Sequence, residues 1–245
     1  MSFEGKVALV TGGGSGIGRG VAHKLAGDEA RVAVADVNAA SANTVAQELD
    51  GLAIQVDVSN QEQVGRMVEQ TVGRFGRLDF LVNCAGNAAF APVAELSLAE
   101  WQSVIDVHLT GMFLCCRAAI EPLLASKGRI VSISSNYAFK GRPGGSNYSA
   151  AKAGIVGLTK VLAQELAPDV NVNAVAPGPV DTPRWRHGFE GGALEERIAQ
   201  RTRDVPLGRI GQPEDIAGAV AFLLGPESAW ITGSVLHVTG GEFML

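Results

Sequence analysis

Val7-Ala8-Leu9-Val10-Thr11-Gly12-Gly13-Gly14-Ser15-Gly16-Ile17-Gly18 is the stretch that decides the fold. An unbroken run of β-prone residues enters a cluster of glycines, and a helical pattern from Ile17 to Ala26 follows at once. A continuously apolar run suits a strand covered on both faces. Glycines at a strand-to-helix turn let the backbone come close to a phosphate, and a helix N-terminus offers free N–H groups and partial positive charge. Gly12, Gly16 and Gly18 form GxxxGxG, a variant of the dinucleotide fingerprint; Gly14, Ser15 and Ile17 complete the turn. No GxxxxGK[ST] occurs, which excludes a P-loop nucleotidase.

Six further runs repeat the first: Val32 to Asp36, Ala53 to Asp57, Asp79 to Asn83, Ile130 to Ser134, Val170 to Val175 and Ser234 to Val238. Helical patterns separate them, among them Ala39 to Leu49 and Val64 to Phe75, so the sheet is expected to be parallel. The chain of 245 residues, 47% hydrophobic, is long enough for one large α/β domain or two small ones. No linker or repeat divides it. The expectation is a single Rossmann-type, doubly wound α/β domain over residues 1–245, with about seven parallel strands and helices on both faces. Three connections, from Cys84, Asn136 and Ala176 onward, are too long for one helix each, and long loops in a compact domain carry function. The last holds a lid expected around residues 183–206, with Arg184, Trp185, Arg186, His187 and Phe189 before Gly191-Gly192.

Charged residues make up only 18% of the chain and the formal net charge is −5, which argues against a nucleic-acid surface. The opening residues lack the pattern of a secretory signal, and apolar windows such as Ala217 to Leu224 fall short of the roughly 20 residues of a membrane span. A cytoplasmic protein without a membrane partner is expected. Cys84, Cys115 and Cys116 have no CxxC spacing and are expected to be buried thiols; no metal site is expected.

Two further features carry chemistry. The second strand ends at Asp36, followed by Val37, where a carboxylate can accept from an adenosine ribose diol. A 2′-phosphate about 4 Å away would meet repulsion of about 4 kcal/mol at an effective dielectric of about 20, so NAD is expected over NADP. A solvated strand-end carboxylate or a helix cap near Asn38 is the competing reading. Tyr148 has Lys152 four residues later in a helical stretch, on one face. An ammonium beside a phenol lowers its pKa, so Tyr148 is expected to exchange a proton near neutral pH.

The combination of the glycine turn, Asp36, Asn83-Cys84-Ala85-Gly86, Ser134-Ser135, Tyr148/Lys152 and Pro177-Gly178, in this order from Gly5 to Gly241, resembles the short-chain dehydrogenase/reductase family. The resemblance implies that Tyr148 is the general acid/base, that Ser135 holds the substrate oxygen, and that Lys152 lowers the Tyr pKa and binds the nicotinamide ribose. By the same matching Asp57 and Val58 contact adenine, Asn83, Ala85 and Gly86 line the cofactor, and Pro177, Gly178, Val180 and Thr182 border the nicotinamide. Cys84 replaces the usual second Asn of NNAG. His108 stands where the family carries a fourth catalytic residue, an Asn, and adds a ring that titrates near neutral pH. A small-molecule substrate and a homotetramer are implied by analogy.

The reaction expected is hydride transfer between NAD and a secondary alcohol or ketone, with a 3-oxoacyl-thioester reductase as a specific alternative. A non-catalytic dinucleotide-binding regulator is the competing class, opposed by the intact Ser135, Tyr148 and Lys152. Epimerases and dehydratases with related nucleotide domains need more chain beyond the last strand.

Overall fold

The computed structural model describes residues 2–187 and 191–244. In chain order its elements are β1 (Val7–Thr11), α1 (Gly16–Gly27), β2 (Arg31–Asp36), α2 (Ala39–Glu48), β3 (Leu52–Gln55), α3 (Gln61–Phe75) and β4 (Phe80–Asn83). There follow α4 (Leu98–Ile105), a π-helical segment (Asp106–Thr110), α5 (Gly111–Ser126), β5 (Arg129–Ile133), α6 (Tyr137–Lys140), α7 (Ser146–Glu165) and β6 (Asn171–Pro177). The last elements are α8 (Pro183–Arg186), α9 (Gly192–Arg203), α10 (Pro213–Leu224) and β7 (Val235–Val238).

All seven strands join one parallel sheet in the order β3-β2-β1-β4-β5-β6-β7. Side chains alternate across a strand, and β1 shows why both faces had to be apolar. Val7 and Leu9 enter the core formed with α3, α5 and α7, while Ala8 and Val10 enter the one formed with α1, α2 and α10. The chain leaves β1 toward β2 on one side and returns to β4 on the other. That reversal opens a crevice at the carboxyl ends of β1 and β4, where ligands bind in open α/β sheets.

Three local outcomes differ from the periodicity. The third strand stops at Gln55 rather than Asp57, because Asp57 turns to serve the next helix. Its N–H donates to Gln63 Oε1 (2.9 Å) and its carboxylate accepts from Ser59. The sixth strand runs on to Pro177. Most consequential, the helix that the sequence places at about Leu98 to Leu124 runs as 29 continuous residues from Leu98 to Ser126, and with an 18-residue window at mean hydropathy 1.4 it is, by length and composition only, long and apolar enough to cross a membrane, where the apolar windows of the sequence fall short. Here it packs on α3, α7, β4 and β5 as a core helix.

Candidate active site

The β1–α1 turn and the chain after β4 are tied together at the crevice. Thr11 Oγ1 accepts from the N–H groups of Cys84 (3.1 Å) and Ala85 (3.3 Å). Gly12 adopts φ +64°, and a Cβ there would lie 2.8 Å from Ala85 Cα, so no side chain fits. Helix α1 begins without a side-chain cap at Ser15 and without an acidic residue in its first turn. Its first N–H groups therefore face the crevice with the dipole uncompensated, as an anionic pyrophosphate requires. The crevice is a cleft of ≈ 400 Å³.

The sequence-expected residues distribute along this cleft in an ordered way. Gly12, Ser15, Gly16, Ile17 and Gly18 form its floor, Asp36 and Val37 its end, and Asp57 and Val58 the wall beside them. Ala85, Gly86, His108, Tyr148, Lys152 and Thr182 surround the other end. The cap of α2 is Asn38, whose side chain accepts from Ser41 N–H (3.1 Å), and Asp36 sits just before it. Its carboxylate accepts from Gly14 N–H (3.0 Å) and from Asn38 N–H (3.0 Å), and it still lines the cleft. These features fit a dinucleotide.

Asn83 does not line the cleft; its amide turns inward and donates to Ser132 Oγ (3.1 Å) and Cys116 Sγ (3.4 Å), partners that a buried amide takes in preference to an open cavity. Cys84 departs from the expected buried set, since it is half-buried on the cleft wall, whereas Cys115 and Cys116 are buried. Desolvation pushes the Cys84 thiol up to about 11 and that of Cys116 to about 12.

Helix α7 sets Tyr148 and Lys152 one turn apart, beside Ser135, which follows β5. The Ser135 hydroxyl accepts from Tyr137 N–H (3.1 Å) and donates to Asn136 Oδ1 (3.2 Å). Lys152 Nζ donates to the Ile133 carbonyl at 2.6 Å and lies 5.6 Å from the centre of the Tyr148 ring. The expected lowering of the phenol by the lysine is not what the structure gives. Burial raises Tyr148 above its ordinary value and outweighs the opposing effects of hydrogen bonding to Ser135 and the charges of Arg184 and Arg142. Burial also brings the Lys152 ammonium down to about 7, so near neutral pH much of its charge is gone.

His108 lies in the π-helical turn between α4 and α5, buried, with its ring edge-on to Tyr148 at 5.4 Å. Its Nε2 is 2.8 Å from the Asn87 carbonyl and 3.2 Å from the Asn87 N–H, the tautomer deciding which bond forms. Gly86 is required beneath it, since a Cβ there would stand 2.3 Å from His108 Cε1. Desolvation holds the imidazolium well below its usual range, with the Lys152 charge acting in the same direction. The ring thus leaves the neutral titration range that the sequence assigns it. His108→Asn is expected to keep the shape of the pH–rate profile between about pH 6 and 9; a limb displaced by a full unit would show that the ring titrates there.

A second chamber of ≈ 400 Å³ opens on the far side of Tyr148, with Ser135 on its wall. Pro177, Gly178 and Val180 line this chamber rather than the cofactor cleft, and Thr182 lines both while accepting from Trp185 N–H (3.2 Å) as the cap of α8. Arg184 stands between the two spaces and donates to the Gly86 carbonyl. Of the expected lid, Phe189 lies outside the described residues; Arg186 is held by Asp181 (2.6 Å), and His187 ends α8. Arg142 lines the chamber from the loop before α7, within the stretch 136–145 that the sequence places around the substrate. One contributor gave no local sign in the sequence: the buried Glu242 carboxylate accepts from Asn136 Nδ2 (2.5 Å), Lys140 (3.0 Å) and Arg201 of α9.

Known proteins resemble this chain in sequence and fold. The family described as enoyl-(acyl carrier protein) reductase matches residues 12–242. A 3-oxoacyl-[acyl-carrier-protein] reductase of Synechocystis sp. is 41% identical over 252 residues, covering 99% of each chain. The (2S)-[(R)-hydroxy(phenyl)methyl]succinyl-CoA dehydrogenase subunit of Thauera aromatica is 39% identical, covering 99% of this chain and 98% of its own. Among solved structures, the ligand-free aldohexose dehydrogenase of Thermoplasma acidophilum superposes with a TM-score of 0.92 at 33% identity, over 98% of this chain and 94% of that one. With the sheet order, the glycine turn and the match all agreeing, the chain belongs to the short-chain dehydrogenase/reductase family and is an oxidoreductase that works with a nicotinamide cofactor.

Proposed function

We propose that the protein interconverts a secondary alcohol and its ketone with NAD, and that its substrate is a 3-hydroxyacyl or 3-oxoacyl thioester. The observation that carries this reading is the position of Tyr148. It lines both the dinucleotide cleft and the neighbouring chamber, so one residue stands between cofactor and substrate. The nicotinamide, when bound, supplies or accepts the hydride. In oxidation Tyr148 receives the alcohol proton at its phenolic oxygen; in reduction it gives the proton to the carbonyl oxygen. Ser135 holds that oxygen, and Lys152, whose pKa burial brings down to about 7, binds the nicotinamide ribose and passes protons between Tyr148 and solvent. The His108 ring holds the Asn87 backbone and one face of Tyr148. Asp36 selects NAD. The thioester class is supported by the name of the Synechocystis relative.

The site lies within one domain, with α8 and α9 as its lid, and the protein works in the cytosol, where its three free thiols stay reduced. Subunits assemble as a homotetramer through α5 and α7, whose outer faces expose Phe113, Leu124 and Val161. The test is a panel of secondary alcohols, sugar alcohols and 3-hydroxyacyl thioesters, each with NAD and NADP, followed by nicotinamide absorbance, with light scattering on the same preparation. Turnover of the thioesters with NAD and a mass of four chains is expected. Tight NAD binding without turnover of any substrate would instead indicate a regulator, and a monomer would remove the assembly.

A further inference from the structure

Four guanidinium groups and one carboxylate line the chamber beside Tyr148: Arg142, Arg184, Arg197, Arg201 and Asp204. Arg201 is engaged by Asp204 (3.5 Å) and Glu242. Arg197 lies over the Trp185 ring, 4.7 Å from its centre. Among the described residues Arg142 and Arg184 form no ion pair. Both nevertheless act on the phenol, each favouring its ionised form.

Their placement is specific. The Arg142 guanidinium sits 3.7 Å from the centre of the Phe90 ring, and Phe90 packs edge-on against Tyr148 at 6.0 Å. A cation is thus fixed one ring away from the reacting oxygen, on a stack that holds its donor fork in place. Arg184 reaches the same space from the opposite side, on α8. The like charges also feel one another, since Arg142 and Arg201 both disfavour the charged form of Arg197. A concave chamber with one sign of charge in excess raises the local concentration of anions, and guanidinium forks match carboxylate and phosphate oxygens. A purely neutral acyl substrate would leave both guanidinium groups, Arg142 half-buried and Arg184 exposed, lining the chamber without an anion to pair with.

We propose that the substrate carries an oxyanion of its own, a carboxylate or a phosphate, in addition to the reacting carbon, and that Arg142 and Arg184 clasp it inside the chamber. This rests on the oxidoreductase reading of the same site and narrows its substrate. Two sources supply such a group: a free carboxylate near the alcohol, or the phosphate of a phosphopantetheine thiol arm.

Calorimetric titration of the NADH-saturated protein separates them without requiring turnover. The ligand pairs are 3-hydroxybutyrate with 3-hydroxybutyramide, and the 3-hydroxybutyryl thioester of 4′-phosphopantetheine with that of pantetheine. The charged member of at least one pair is expected to bind about 10- to 100-fold more tightly. Arg142→Gln and Arg184→Gln are each expected to remove most of that preference, while Arg66→Gln, on the exposed face of α3, keeps it. A response of the first pair assigns the substrate's own carboxylate; a response of the second pair alone assigns the thiol arm. Arg184 is exposed, so its variant decides if Arg142→Gln does not fold. Equal binding within both pairs, or a preference that survives both substitutions, overturns the proposal. Failure of the oxidoreductase reading would show separately, as absent turnover with the calorimetric preference intact.

Discussion

Tyr148→Phe is expected to lower kcat about 10³- to 10⁴-fold while the dissociation constant for NADH changes by less than about threefold. The substitution removes one oxygen and keeps the ring, which is what Phe90 and His108 pack against at 6.0 and 5.4 Å. The fold and the cleft are therefore retained. The proton acceptor in oxidation is lost, and no other group takes its place. The Ser135 hydroxyl is a hydrogen-bonding partner and no base near neutral pH, and Lys152 Nζ is tied to the Ile133 carbonyl at 2.6 Å. Stopped-flow hydride transfer and fluorescence titration with NADH measure the two quantities separately. More than a tenth of wild-type activity in the variant would remove Tyr148 from the chemistry.

The second large effect concerns the cofactor. Wild-type protein is expected to show kcat/KM for NAD about 10²- to 10³-fold above that for NADP, the ratio set by repulsion of about 4 kcal/mol at about 4 Å, reduced by solvent. Backbone donors from Gly14 and Asn38 hold the Asp36 carboxylate, so it cannot swing away from an added phosphate without leaving two N–H groups unsatisfied. Asp36→Ala should collapse the ratio to within about tenfold of unity, largely by improving NADP. Steady-state kinetics with both cofactors reads this directly, and a wild-type preference for NADP would show that the carboxylate does not select.

What the sequence disclosed was local chemistry. The glycine turn is legible because strand, turn and helix are consecutive, and Tyr148 with Lys152 because four residues make one helical turn. Asp36 could be placed because a strand end has a fixed position in the sheet. Long-range effects were not legible. Asn136 and Glu242 are 106 residues apart and meet only because the chain after β7 folds back over α6. The arginines of the chamber come from two stretches that the sequence places around the pocket, the loop before α7 and the segment of α8 and α9, but their individual partners, such as Phe90 under Arg142, follow only from the fold. The Tyr148 phenol and the Lys152 ammonium were misjudged for the same reason: their pKa values answer to burial, which the whole fold determines.

The π-helical turn at Asp106–Thr110 has the effect of a phase shifter. Buried positions along one face of the long helix include Val104, His108, Met112, Cys115, Ala119 and Leu123. From Val104 to Leu123 is 19 steps for five turns, for which an ideal α-helix uses about 18. One surplus residue is absorbed there. Deleting it would restore an unbroken hydrogen-bond ladder, yet each residue is worth about 100° of rotation. With the core face of α5 held in place, everything before the turn would rotate, and the His108 ring would swing off Asn87 and Tyr148. The most regular helix this segment can form is therefore one that dismantles the wall of the site, and the local irregularity is the condition for its geometry.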